Sequence, residues 1–144
     1  MTLTLENVGL YAETLVRQAS ARGQTLDYSP ESLAVLDALL AVSDPQLEET
    51  STQQRDLVIF YTGCYLGEVL VRTLGAQWQL TEDWAEATLV LVADANKGGI
   101  EVRPFEKLHR RLTEGPEGNS LRAYGEGLKE RFDALSALAA AQGQ

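Results

Sequence analysis

The sequence predicts an α+β fold: three N-terminal helices, a three-stranded antiparallel meander and two C-terminal helices. Three observations carry that prediction. Apolar residues recur at helical spacing through the first half of the chain and again at its end. Between residues 75 and 104 the segments shorten and β-branched and aliphatic residues take over, as in ATLVLVAD and GIEVRP. The composition of 144 residues, 44% hydrophobic and 23% charged with four prolines, is that of one globular domain, residues 1–144. A chain of this size buries roughly 68% of its unfolded surface and needs no covalent staple.

The first helix is expected over Glu6 to Ala21, with Val8, Ala12, Leu15, Val16 and Ala19 on one face and Gly23 as its stop. Ser29 is a natural N-cap and Pro30 fits the first position of a second helix. Its stripe is Leu33, Leu36, Leu39 and Leu40, and its end is expected near Ser43, ahead of Pro45. The third and longest helix runs from Thr52 to Leu74, apolar on most sides as a central helix should be, with Gly75 as terminator. GAQWQL, ATLVLVAD and GIEVRP are then the three strands, separated by the turn-prone TED and NKGG. Pro104 opens a short helix, PFEKLHRRL, with Phe105, Leu108 and Leu112 sharing a face. TEGPEGNS is a loop, and Asn119 or Ser120 caps a last helix to about Ala140, locally weakened by Gly125 and Gly127.

Composition also excludes chemistry. One cysteine forms no internal disulfide, and one cysteine with one histidine cannot close a structural zinc site. A net charge of −9 argues against a nucleic-acid partner, because affinity for a polyphosphate rests on clustered Lys and Arg. The only basic island is Lys97, Arg103, Lys107, Arg110 and Arg111. No apolar run approaches the roughly 20 residues that cross a bilayer, and MTLTLENVGL lacks the features of a signal peptide. The expectation is a cytoplasmic protein without a membrane partner.

LDYSPESLAVLDALL, YTGCYLGEVLVRTLGAQW and VRPFEKLHRRLTEGPEGNSLRAYGEGL together resemble a family of small bacterial domains of unknown function. Its pattern is a G-x-Y-x-GE helix, here Gly63, Tyr65, Gly67 and Glu68, followed by G-x-x-W, here Gly75 and Trp78. A P-x-x-K-x-x-x-R segment follows, here Pro104, Lys107 and Arg111. The resemblance covers about residues 26–128, supports a single bacterial domain and implies no catalytic residue.

Residues 60–78, FYTGCYLGEVLVRTLGAQW, hold the densest set of candidate groups. At 100° per residue Tyr61, Tyr65, Glu68 and Arg72 share one stripe, whereas Gly63 and Gly67 lie on the other side with Ile59, Phe60, Leu70 and Leu74. The glycines read as a face that lets another backbone approach closely. Glu68 and Arg72 read as an i, i+4 ion pair, or with the tyrosines as a ligand site between the central helix and the sheet. Cys64 with His109 and Glu68 would be the set for a thiol nucleophile, but nothing in the spacing links them, and a lone mid-helix cysteine reads as a small buried hydrophobe. Asp94, Asn96 and Gly98 start like a calcium loop, but Phe105 stands where its glutamate is required, so DANKGG reads as a hairpin turn. Arg103, Lys107, Arg110 and Arg111 either pair with the chain's own carboxylates or meet an anion or an acidic partner.

No metal site and no cofactor motif is expected. The reading is an uncharacterised, non-enzymatic protein-interaction module with a protein partner or as a homodimer, using the exposed side of the sheet or the basic island. The alternative is a small anionic-ligand binder or weak enzyme with a pocket between the central helix and the sheet.

Overall fold

The computed structural model describes residues 2–47, 52–92, 99–115 and 117–142. Helices α1 (Val8–Ala21), α2 (Ser32–Leu47) and α3 (Thr52–Leu74) precede strands β1 (Gln77–Gln79), β2 (Thr88–Val92) and β3 (Gly99–Val102). A 3-10 turn, Trp84–Glu86, lies between β1 and β2, and α4 (Pro104–Glu114) and α5 (Leu121–Gln142) complete the chain. The α+β class and the order of helices and strands are those read from the sequence.

Local chemistry explains most boundaries. Thr4 and Asn7 each accept the other's backbone N–H on a side-chain oxygen, at 3.1 and 2.8 Å, a reciprocal cap on the turn that leads into α1, whose first residue is Val8 rather than Glu6. Gly23 and Gly75 end α1 and α3 with φ of 77° and 70°, a conformation that costs glycine little. The expected start of α2 at Pro30 is corrected to Ser32: Pro30 lies in a preceding turn of i to i+3 bonds, in which the Ser29 hydroxyl accepts the Ser32 N–H at 3.1 Å. The expected end of α2 near Ser43 is corrected: the helix passes through Pro45 to Leu47. A proline removes one rung of the ladder but does not by itself stop a helix. At the start of α5, Ser120 is the cap, its hydroxyl accepting the Ala123 N–H at 3.2 Å. Asn119 instead ties the preceding loop, donating to the carbonyls of Gly115 and Glu117. Residues 94–98 of the DANKGG hairpin and calcium-loop readings lie outside the described residues, as does Lys97.

The sheet is ordered β1-β2-β3 with both pairs antiparallel, Gln77 opposite Val90 and Val90 opposite Glu101. Leu89, Leu91, Ile100 and Val102 point inward, joining Leu70 of α3 and Leu128 of α5 in one apolar cluster. A larger cluster is built on α3 by α1, α2 and α4. By length and composition alone α3 could cross a membrane; here ten of its residues are buried within the fold, and it forms the axis around which the other helices pack.

The two glycines of α3 serve close packing, with a correction to what approaches them. A methyl group at Gly63 would overlap the Phe105 ring, and one at Gly67 the Trp78 ring. Aromatic side chains, not a second backbone, occupy these notches. Phe105 is the centre of an aromatic group, edge-on to Trp84 at 5.2 Å between centroids and near Phe60 and Trp78 at 6.4 and 6.1 Å. The space between α3 and β1 is thereby filled by rings.

Candidate functional site

The stripe Tyr61, Tyr65, Glu68 and Arg72 faces α1 and the α1–α2 connection, and its four members have different surroundings. Tyr65 is fully buried; its hydroxyl accepts the Tyr28 N–H at 2.9 Å and lies 2.6 Å from the Ser32 hydroxyl. Tyr28 has φ of 64°, rare for a bulky residue and costing on the order of 1–3 kcal/mol. Its ring stacks on Tyr65 at 5.0 Å, the Arg72 guanidinium lies over the ring at 3.5 Å, and its hydroxyl donates to Glu13 at 2.8 Å. The strained residue is thus clamped from α1 and α3. Burial, then the hydrogen bond to Glu13, raises the Tyr28 pKa, and burial raises that of Tyr65.

Glu68 and Arg72 are not an ion pair: Arg72 lies over Tyr28, and Glu68 accepts the Trp78 indole N–H at 3.3 Å. That bond joins α3 to β1, so Glu68→Ala is expected to lower the melting temperature by roughly 2–4 °C. Thermal unfolding followed by circular dichroism checks this; an unchanged midpoint would deny the contact a structural role.

Cys64 is buried, and burial followed by the Glu68 charge pushes its thiol from the ordinary 9.0 up to about 12. A nucleophilic cysteine needs the opposite shift. The unfolded chain therefore loses this proton at a lower pH than the folded one, so the thiol's contribution is intact below pH 9 and is lost as pH rises toward 12. Urea midpoints are expected to fall between about pH 9 and about pH 11, with a shallower fall in Cys64→Ala. Equal slopes in the two proteins would contradict this assignment.

The basic residues are distributed over separate partners. Arg103 pairs with Glu101 at 3.0 Å and Glu106 at 3.7 Å, and Arg110 pairs with Glu106 at 3.2 Å. Lys107 donates to Asn119 at 3.2 Å and lies 5.0 Å from the centre of the Tyr124 ring; burial lowers its pKa. Arg111 is 1% exposed and lies 3.9 Å from the Asp37 carboxylate. Asp37, which sequence reasoning missed, is the organising group here. From α2 it accepts the backbone N–H groups of Leu121 and Arg122 at 2.8 and 3.0 Å and the Ser120 hydroxyl at 3.0 Å. A carboxylate thus sits on the N-terminus of α5, where the helix dipole favours it. Its signal was visible: it is the lone charge in the apolar run LAVLDALLAV, and such a group needs partners.

Among the described residues, three of the hollows flank α3. One, of about 360 Å³, is bordered by Asp56, Asp83, Trp84, Glu106 and the exposed His109. Among the described residues no three His, Cys, Asp or Glu side chains are grouped to hold a metal ion. Another, of about 270 Å³, lies among α2, α3 and α5. The third arises because α1 and α2 each pack on α3 but scarcely touch each other. The gap between them is a cleft of about 360 Å³, walled by Leu15 and Ala19 of α1, Leu36 and Leu40 of α2, and Leu57 and Val58 of α3. Leu57 stays 39% exposed at this opening. The polar groups of the cleft are Gln18, Arg22, Thr62 and Tyr61, so Tyr61 of the expected stripe borders this cleft rather than a space facing the sheet. The Thr62 hydroxyl donates to the Val58 carbonyl at 2.6 Å, whereas the Tyr61 hydroxyl has no hydrogen-bond partner among the described residues.

Comparison with protein families matches residues 6–103 to a family of unknown function (DUF6278). The matched span holds α1 to β3 and every wall of the cleft, and stops ahead of α4. No curated protein and no solved structure matches the chain.

Proposed function

The chain belongs to this family of unknown function, and from that premise we propose, on geometry and chemistry, a non-enzymatic binding module that receives an apolar group in the cleft between α1, α2 and α3. The observation that carries the reading is the cleft itself: a concavity with leucine, alanine and valine walls, of a volume typical of small-molecule sites, about 300–1,000 Å³. The groups suited to chemistry lend support from the other side. The Tyr65 hydroxyl is engaged by Tyr28 and Ser32, Glu68 holds Trp78, and the Cys64 thiol is buried with its proton retained. A nucleophile, a base and an open approach do not coincide at these residues.

Titration with the neutral, environment-sensitive dye Nile red, followed by amide chemical-shift mapping, tests the reading. Shifts are expected to concentrate on Leu15, Leu36, Leu40 and Leu57. Shifts confined to the outer face of the sheet, around Thr88, Val90 and Val92, or no binding at all, would overturn it. Occupation by a second copy of the chain would appear instead as a dimer in light scattering that the dye dissociates.

A further inference from the structure

We infer that the occupant of the cleft is a small single-chain amphiphile with an anionic head, carboxylate or phosphate, its chain between α1, α2 and α3 and its head on Arg22. The inference rests on the cleft being the binding surface, and adds the chemistry of what binds.

The lining is asymmetric in charge. Among the described residues, Arg22 is its only charged member and no carboxylate borders the cleft. Arg103, Arg110, Arg122 and Lys129 each lie within 3.9 Å of an acidic side chain, and Arg72 and Lys107, which do not, are engaged by Tyr28 and by Asn119 and Tyr124. Arg22 has no ion pair among the described residues, and it is exposed at the end of α1. Gln18 stands one helical turn before it, so a cation and a neutral donor are neighbours on the border of an otherwise apolar hollow.

An apolar chain entering such a cleft leaves water, and its head must remain where water and a complementary charge are both available. Arg22 offers both, together with a fork of donors that suits the planar carboxylate and also phosphate oxygens. The adverse factor is the carbonyl end of α1, about half a negative charge, which the full positive charge of the guanidinium outweighs. A neutral amphiphile would gain the same burial but nothing from Arg22. A helix from a partner protein, with a diameter of about 10–12 Å, is poorly matched to a hollow of about 360 Å³.

Displacement of Nile red by decanoate, decyl phosphate and decan-1-ol tests the assignment, at concentrations below micelle formation. One of the two anions is expected to bind about tenfold more tightly than the alcohol, and which of them is tighter identifies the head group. Arg22→Gln is expected to remove the advantage, Arg22→Glu to reverse it, and Arg22→Lys to retain much of it. Arg22 is exposed, so these variants should fold as the parent does. If the alcohol displaces the dye as well as the anions do and Arg22→Gln changes nothing, the head-group assignment is wrong while the cleft remains a binding site. If none of the three displaces the dye, or the dye does not bind, the reading of the cleft itself fails.

Discussion

Asp37→Ala is expected to destabilise the fold by about 3 kcal/mol, the largest loss among the single substitutions considered. Two effects combine. The first turn of α5 loses the acceptor for the Leu121 and Arg122 N–H groups and for the Ser120 hydroxyl. The Arg111 guanidinium, 1% exposed, loses the carboxylate 3.9 Å away. In a chain of this length the melting temperature should fall by roughly 10 °C. Asp37→Asn keeps an acceptor but not the charge, and should fall between parent and alanine variant. Arg111→Met in the alanine background should recover part of the loss, because it removes a buried charge from which the first substitution took the Asp37 carboxylate. Urea unfolding of the four proteins provides the comparison. An Asp37→Ala midpoint indistinguishable from the parent's would remove Asp37 from this role. The consequence reaches the cleft, because Leu36 and Leu40 are carried on the same helix that Asp37 fastens to α5.

The elements that were legible in the sequence are those with local causes. Gly23 and Gly75 end helices because a left-handed residue is needed there, Ser29 holds the turn before α2 because its hydroxyl reaches three residues ahead, and Pro104 opens α4 because no N–H is needed. The strands announced themselves by their change of period. What was not legible depends on distance along the chain. Asp37 and Leu121 are 84 residues apart, and no local pattern encodes their contact, although the isolation of Asp37 among leucines shows that it requires one. The left-handed Tyr28 has no signature either; it is held by Glu13 of α1 and by Tyr65 and Arg72 of α3. Helical geometry correctly separated the glycine side of α3 from the tyrosine side. It could not show that the glycines receive rings from β1 and α4, or that Glu68 and Arg72 would turn to Trp78 and Tyr28 instead of to each other. The cleft is the least legible feature. It follows from the lateral spacing of α1 and α2 on α3, and each of its walls, read alone, is an ordinary amphipathic stripe.

The same substitution, glycine to alanine, is expected to act in opposite directions at two helical positions. In an isolated helix the change gains about 1 kcal/mol in propensity. At Gly127 of α5 nothing lies within 4 Å of the added methyl, so that gain should appear almost whole, as a rise of roughly 2–4 °C in melting temperature. At Gly63 the methyl would overlap Phe105, whose ring is 1% exposed and hemmed in by Phe60, Trp78 and Trp84. Overpacking of this kind costs about 1–3 kcal/mol or more, and here α4 would have to move as a unit because Phe105 stands in its first turn. A net loss of about 2 kcal/mol is therefore expected for Gly63→Ala, against a gain for Gly127→Ala. Gly67→Ala should fall between, since the half-buried Trp78 can swing aside, but only by giving up its bond to Glu68; a red shift in tryptophan emission would report that movement. Denaturation curves for the three variants decide the matter. Were Gly63→Ala as stable as the parent, the glycines of α3 could not be the notches that seat its aromatic neighbours. A loss confined to Gly63 and Gly67 would instead show that this side of α3 is fixed by packing, leaving the α1–α2 side of the helix, where Tyr61 borders the cleft, as the surface available for binding.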